Sequence, residues 1–257
     1  MDKLIYTSLS QATSGNVQRV QLTNDLANVS TVGFKRALLQ RSIPSKLDGP
    51  GFETRFQPLV ATQNDVINLT EGNRMQTDNP MDVAFNDQTV LGVFTDDGNL
   101  AFTRRGDLRV SQDGFIETST GQLISDEGGA PITVPQGGTV TFAPDGAVFF
   151  NNTLAAAGAV APQQIGLLLL RDASATQLQR RTDGLFEVSG ANGQGGDFPT
   201  GPQITSLTSG SLEGSNVQPV EVLVELMDYY RSFETQIKVI KSVEELDKDA
   251  NKLMRVT

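Results

Sequence analysis

The chain has 257 residues and contains no histidine, cysteine or tryptophan. Without histidine there is no imidazole base for a Ser-His-Asp or Cys-His relay, and zinc, haem and iron–sulfur centres lose their usual ligands; without cysteine there is no disulfide or thiol chemistry. Twenty basic residues against 30 acidic ones give a formal net charge of -10, so nucleic acid and anionic membrane are poor partners, and no run of about 18 apolar residues offers direct insertion into a bilayer.

The first predicted element is a helix from Leu4 to about Asn28, free of proline and interrupted only by Gly15. Ile5, Leu9, Ala12 and Val20 fall at helical spacing, with Leu22, Leu26 and Ala27 nearby, while Gln11, Ser14, Asn16, Gln18, Gln21 and Asn24 make the rest neutral and polar. Such a helix is weak alone and wants neighbours. The first residues, Met1-Asp2-Lys3-Leu4-Ile5, lack the basic and apolar regions of a cleavable signal peptide. Residues 41–75 carry Pro44, Gly49-Pro50-Gly51 and Pro58 and read as a connector or an extended hairpin.

The middle of the chain reads as β. Val90–Phe94, Leu100–Thr103, Leu108–Val110, Phe115–Thr118, Thr139–Phe142, Ala147–Phe150 and Phe186–Val188 are short strands, and Gln163–Arg171 is expected to be one buried strand. Asp97-Gly98, Asp113-Gly114, Asp145-Gly146 and Asp183-Gly184 lie in the turns between strands and predict type I′ hairpins, in which both central residues take positive φ. Residues 189–203, rich in Gly and Pro, are a loop. Asp96-Asp97-Gly98-Asn99 lacks the ligand spacing of a calcium loop, and Gly193-Gln194-Gly195-Gly196 lacks the dinucleotide fingerprint. Arg104-Arg105 and Arg180-Arg181 are expected at solvated hairpin positions. No cofactor, metal or catalytic residue is implied; a carboxylate pair able to cleave glycan is always obtainable among 30 acidic residues, but nothing singles one out.

The last element is a second helix. Leu223, Leu226, Tyr230, Phe233, Ile237 and Ile240 follow alternating spacings of three and four before the stripe slips to Val243, Leu246, Ala250 and Leu253. Ser215 or Asn216 is placed to cap it, with Pro219 in the first turn. The only lysines are Lys3, Lys35, Lys46, Lys238, Lys241, Lys248 and Lys252, which sets the two ends apart from the middle. A bundle needs more helices than these two, so the missing ones are expected from other molecules. The expected fold is α+β, mainly β: a hairpin-rich antiparallel domain with the terminal helices pairing as a coiled-coil-like layer. The expected division is 1–34 for the first helix, 35–74 for the connector, 75–210 for the outer β domain and 211–257 for the second helix.

Thr23-Asn24-Asp25-Leu26-Ala27-Asn28, continuing through Thr31, Gly33, Phe34 and Lys35, resembles the signature of the bacterial flagellar rod and hook proteins, Asn-Asn-Leu-Ala-Asn followed by Thr-x-Gly-Phe-Lys. Asn79–Ala84, Thr103–Leu108 with Asp113–Ile116, Leu212–Glu221 (including Ser215, Asn216 and Val217) and Arg231–Ile240 are similar to further segments of that family, in the same order. Asp25 stands where the second Asn is usual, and Asn86–Leu91 replaces a Gly-Asp-Gly-Phe-Phe run. The resemblance implies a non-enzymatic subunit of the proximal rod of the flagellar basal body, in the periplasmic space. It implies assembly with copies of itself and other rod proteins, and export by the flagellar type III apparatus without a cleavable signal. Subunit contacts would fall on Ile5, Leu9, Ala12, Val20, Leu223, Leu226, Tyr230, Phe233, Ile237, Ile240, Leu246 and Leu253. Asn24, Asn28, Gly33 and Phe34 would shape the end of the first helix, Asn28 by bonding its last turn and Gly33 by taking positive φ. The alternatives are a distal-rod or hook-type subunit, a carboxylate-based cell-wall glycan hydrolase, and a β-rich binding module whose helices dimerise.

Overall fold

The structure, a computed structural model, describes residues 2–38, 45–49, 52–56, 66–152, 161–188 and 196–254. Within these, the side chains of residues 2–14, 45–49, 52–56, 247, 253 and 254 fall outside the description, as do residues 189–195 of the expected 189–203 loop and most of residues 41–65 of the expected connector. The chain divides into two units, one made of residues 1–27, 39–63 and 218–257, the other of residues 28–38 and 64–217. This differs from the expected boundaries: residues 28–38 and 64–74 belong to the β unit because their backbones pair into it. Leu38 N donates to Val66 O, Asn68 N to Arg36 O and Ile67 N to Leu178 O, which extends a sheet edge outward through two more segments.

The first unit contains α1 (Asp2–Ala27), the antiparallel hairpin of β1 (Ser45–Gly49) and β2 (Phe52–Phe56), and α2 (Pro219–Met254). The two helices are in contact, and the Tyr229 ring lies where a Cβ on Gly15 would sit 3.0 Å from it. Pro219 occupies the first turn of α2, where its missing N–H costs nothing, and Glu221 complements the positive end of the dipole. The expected caps serve elsewhere: Val222 N bonds Gln218 O, Ser215 Oγ accepts from Val217 N, and Asn216 turns toward the β unit.

The β unit is antiparallel throughout. Its strands are β3 (Arg74–Gln76), β4 (Val83–Phe85), β5 (Thr89–Phe94), β6 (Leu100–Thr103), β7 (Leu108–Val110), β8 (Ile116–Thr118), β9 (Gly138–Phe142), β10 (Ala147–Asn152), β11 (Gln163–Leu167), β12 (Leu170–Asp172), β13 (Leu178–Arg180), β14 (Phe186–Val188), β15 (Leu207–Ser209) and β16 (Ser211–Glu213). A five-stranded sheet runs β12-β5-β6-β14-β13, a three-stranded one β11-β10-β9, and three two-stranded ladders join β15 to β4, β16 to β3 and β7 to β8.

Period-two alternation places the five-stranded sheet between two cores. Leu91, Val93 and Ala101 point into a cluster with Val83, Phe85 and Ile116. Val90 and Phe102 point the other way, toward Leu169, Leu178, Phe186 and Phe198, with the Phe102 and Phe198 rings edge to face at 4.7 Å. The expected single strand at 163–171 is instead two strands in two different sheets, because the backbone changes partners between them: Leu168 N bonds Gly146 O and Leu169 N bonds Ser125 O, so β11 stays with β10 and β12 joins β5.

The Asp-Gly turns also differ from expectation. Gly98, Gly114, Gly146 and Gly184 have positive φ, but Asp97, Asp113, Asp145 and Asp183 do not. Each loop instead has three residues, a type I turn closed by a left-handed glycine, as in Gly98 N to Thr95 O with Thr95 N to Asn99 O. The same bond pattern recurs around Gly121 and Gly129.

Candidate functional site, a buried charge junction

Parts of the sequence signature, from Asn28–Lys35, Thr103–Leu108 and Leu212–Val217, converge inside the β unit. After α1 ends, Thr31 N bonds Asn28 O, and Thr31 Oγ1 donates to Asn28 Oδ1. Asn28 therefore organises the turn just beyond the helix. Gly33 takes φ 68°, and its N–H donates to Glu213 O at 2.8 Å. Arg180 stacks on the Phe34 ring, 4.2 Å from its centroid, and bonds Lys35 O. Asn216 clamps the same stretch: it accepts from Arg36 N at 2.7 Å and donates to Asn68 O at 2.8 Å, while its own N–H bonds Phe34 O.

At the centre lie three charges that spacing arguments did not single out. Lys35, Arg104 and Glu213 are all fully buried. Lys35 Nζ donates to Glu213 Oε1 at 2.5 Å and to Thr70 O at 2.8 Å. Gly72 N donates to the same Oε1 at 2.9 Å. Arg104 takes the other oxygen, with Nε at 2.8 Å and an ηN at 2.7 Å, and spends its remaining N–H groups on the carbonyls of Phe85 and Asp87. Every lone pair that Glu213 presents here meets a donor, which is the condition for burying a carboxylate. Arg104 is thus no solvated hairpin residue; a carboxylate 109 positions later draws it inside. Its neighbour Arg105 pairs with Asp107 and Ser119. The only sequence signal for the three was their position inside the signature segments.

Two cations share one anion, so the junction carries one excess positive charge. Burial foremost, and the Arg104 guanidinium next, bring the Lys35 ammonium down to a pKa of about 8 against the pull of Glu213. Between pH 8 and the ordinary lysine value the unfolded chain holds more protons than the folded one, so the Lys35 contribution to stability rises with pH across that window. In urea unfolding followed by circular dichroism, the stability of wild type minus that of Lys35→Met should increase from pH 7.5 to 10.5, by on the order of 2–3 kcal/mol. A flat difference would refute the depressed value.

The expected contact residues fall in the other unit. On α2, Leu226, Ile237 and Ile240 are half-buried, but Leu223, Tyr230, Phe233 and Leu246 are exposed; the fully buried positions are Val222 and Val243. On α1, Leu22 and Asp25 are buried, Leu26 is half-buried, and Val20, Asn24 and Ala27 are exposed. The side chains of Ile5, Leu9, Ala12 and Leu253 lie outside the described residues. Val217 is buried and Ser215 half-buried. Among the described residues no helix is long and apolar enough to cross a membrane, and no group of three or more acidic side chains is arranged to hold a metal ion.

Comparison with known proteins gives the class first. Residues 89–150 match the model described as flagellar hook protein FlgE/F/G D1 domain, and residues 208–253 match the flagellar basal body rod FlgEFG protein C-terminal model. Over the whole of both chains the sequence is 36% identical to the flagellar basal-body rod protein FlgF of Salmonella typhimurium and 34% identical to FlgF of Escherichia coli. A FlgG of Buchnera aphidicola is 29% identical over 243 residues, 88% of this chain and 89% of that one. The chain belongs to the FlgF family of flagellar basal-body rod proteins and is a structural rod subunit, not an enzyme. The glycan hydrolase alternative is set aside on that ground.

Proposed function

We propose that the chain polymerises through its terminal helices as a subunit of the proximal rod and transmits torque by packing alone. The observation that carries this reading is the double apolar character of α2. One side includes the buried Val222 and Val243; around the helix from it, Leu223, Met227 and Tyr230 are 48%, 55% and 53% exposed. A helix with that much apolar surface in water wants a neighbour. A coiled-coil-like layer of α1 and α2, continued by copies of this chain and by other rod proteins, would cover it. Val17 and Val20 enlarge the exposed apolar surface on α1, and Ile5, Leu9, Ala12 and Leu253 are assigned to it on spacing alone. The proximal assignment is supported by the full-length identity of 36% and 34% to the two relatives named FlgF from Salmonella typhimurium and Escherichia coli. Export by the flagellar type III apparatus into the periplasmic space is supported by the family resemblance and suits a chain without cysteine.

The reading is tested by Leu223→Glu combined with Tyr230→Glu. Both positions face water, so the purified variant should keep the far-UV spectrum of the wild type. In cells lacking their own copy of the gene, it should fail to restore swimming or to appear in isolated basal bodies. Normal incorporation of this variant would overturn assembly through the exposed face.

A further inference from the structure

We infer that residues 206–217 form a closing strap: the β unit remains open along one side until this segment joins, and Glu213 is the group that completes it. Within the described residues β4 and β3 have single ladder partners, β15 and β16, both in the strap. Leu207 lies in the main core beside Val83 and Phe85. Asn86 N donates to Ser206 O, Thr77 N to Gly210 O, Gly33 N to Glu213 O and Gly214 N to Asn73 O, so three separated stretches of the unit are stitched by one segment.

Sequence separation gives this arrangement an order in time. Glu213 reaches back 178 positions to Lys35, 141 to Gly72 and 109 to Arg104. The hairpins between Thr89 and Val188 are local and close early, whereas strap contacts require most of the chain to be present. Lys35 and Arg104 add a chemical reason. Before the carboxylate arrives they are like charges with no anion between them, and burying both is prohibitive. The exit segment from α1, the Arg104 loop and strands β3 and β4 therefore dock together, when Glu213 docks. A chain released N-terminus first cannot complete its β unit until the residues just before α2 have emerged. Closure thus reports that the chain is present through the strap.

The test is refolding of the full chain with pulsed hydrogen exchange. The amides of Phe94 and Ser125, bonded to Leu123 O and Gly92 O, serve as reference for the early sheet. They should gain protection first. Gly33, Thr77, Asn86 and Gly214 should gain it in one shared later phase, slower by about threefold or more. Glu213→Gln should slow that later phase about tenfold and leave the early one unchanged, since it acts on contacts formed late. Adding Lys35→Met should recover part of the lost rate, which loss of side-chain packing alone would not allow. Strap-dependent amides protected with or before Phe94 and Ser125, or protected in separate phases, would overturn the proposal. So would a Glu213→Gln variant that slows the early phase or alters neither. If the variant does not fold, the wild-type order of protection decides.

Discussion

Glu213→Gln is expected to destabilise the β unit by about 3–5 kcal/mol, the range for removing one partner of a buried ion pair. Glutamine keeps the shape and one acceptor but sets an NH2 donor against donors, so the loss combines the missing charge with one missing acceptor. Lys35 and Arg104, both fully buried, would be left as uncompensated cations, and the Gly72 N–H would lose its ionised acceptor. The three side chains act as one unit, so single substitutions should be non-additive: Lys35→Met added to Glu213→Gln should recover part of the loss by removing one stranded charge. All three tyrosines, Tyr6, Tyr229 and Tyr230, lie in the helices, so their fluorescence does not report on the β unit. Urea unfolding followed by circular dichroism near 217 nm, or hydrogen exchange at β4 and β15, reads the effect. An unchanged midpoint would show that the charges are held by something other than each other.

The second large effect belongs to two glycines of the signature segments. A Cβ on Gly33 would overlap the Arg104 carbonyl, at a residue whose φ of 68° already disfavours a side chain. A Cβ on Gly106 would overlap the Val83 carbonyl oxygen, where the chains approach so closely that Val83 N donates to Gly106 O at 2.9 Å. In both cases the obstacle is backbone, which cannot rotate aside. Alanine at either site should cost about 3 kcal/mol or more, near the upper end for single substitutions. Gly98→Ala is the control. Its φ is 78°, but nothing lies within 4 Å of the added carbon, so only the left-handed penalty of about 1 kcal/mol should appear. Equal effects at Gly98 and Gly33 would mean that conformation, not close approach, explains the glycines.

Much of the β unit was legible because its strands are short, local and bounded by turn residues. Val90–Phe94 and Leu100–Thr103 could be read from composition and turn spacing, since each hairpin is decided within a dozen residues. Turn type was less legible. Asp-Gly suits a type I′ turn and equally a three-residue loop whose glycine alone is left-handed, and the choice depends on the register that the paired strands adopt. Gln163–Arg171 misled for a related reason: an apolar run looks the same whether it stays in one sheet or crosses between two.

The helices show a different limit. Apolar residues stand at 222, 223, 226, 229, 230 and 233, so α2 carries a broad apolar arc with more than one possible seam. Periodicity chose Leu223, Leu226 and Tyr230 as a stripe for subunit contacts but did not mark Val222, which the folded chain buries while Leu223 and Tyr230 stay exposed. Which stripe turns inward depends on the packing around the helix, and that information lies elsewhere in the chain.

By itself the sequence determined the order of elements, the antiparallel hairpins, the absence of histidine and cysteine chemistry, and the family signature, all properties of neighbouring residues or of composition. Only the tertiary structure decided that the signature segments meet at Lys35, Arg104 and Glu213. A lone lysine, arginine or glutamate in sequence reads as a solvated surface residue, because burying a charge is unfavourable until its partner is known. Here the partners are 109 and 178 positions apart, and folding alone brings them within hydrogen-bond reach.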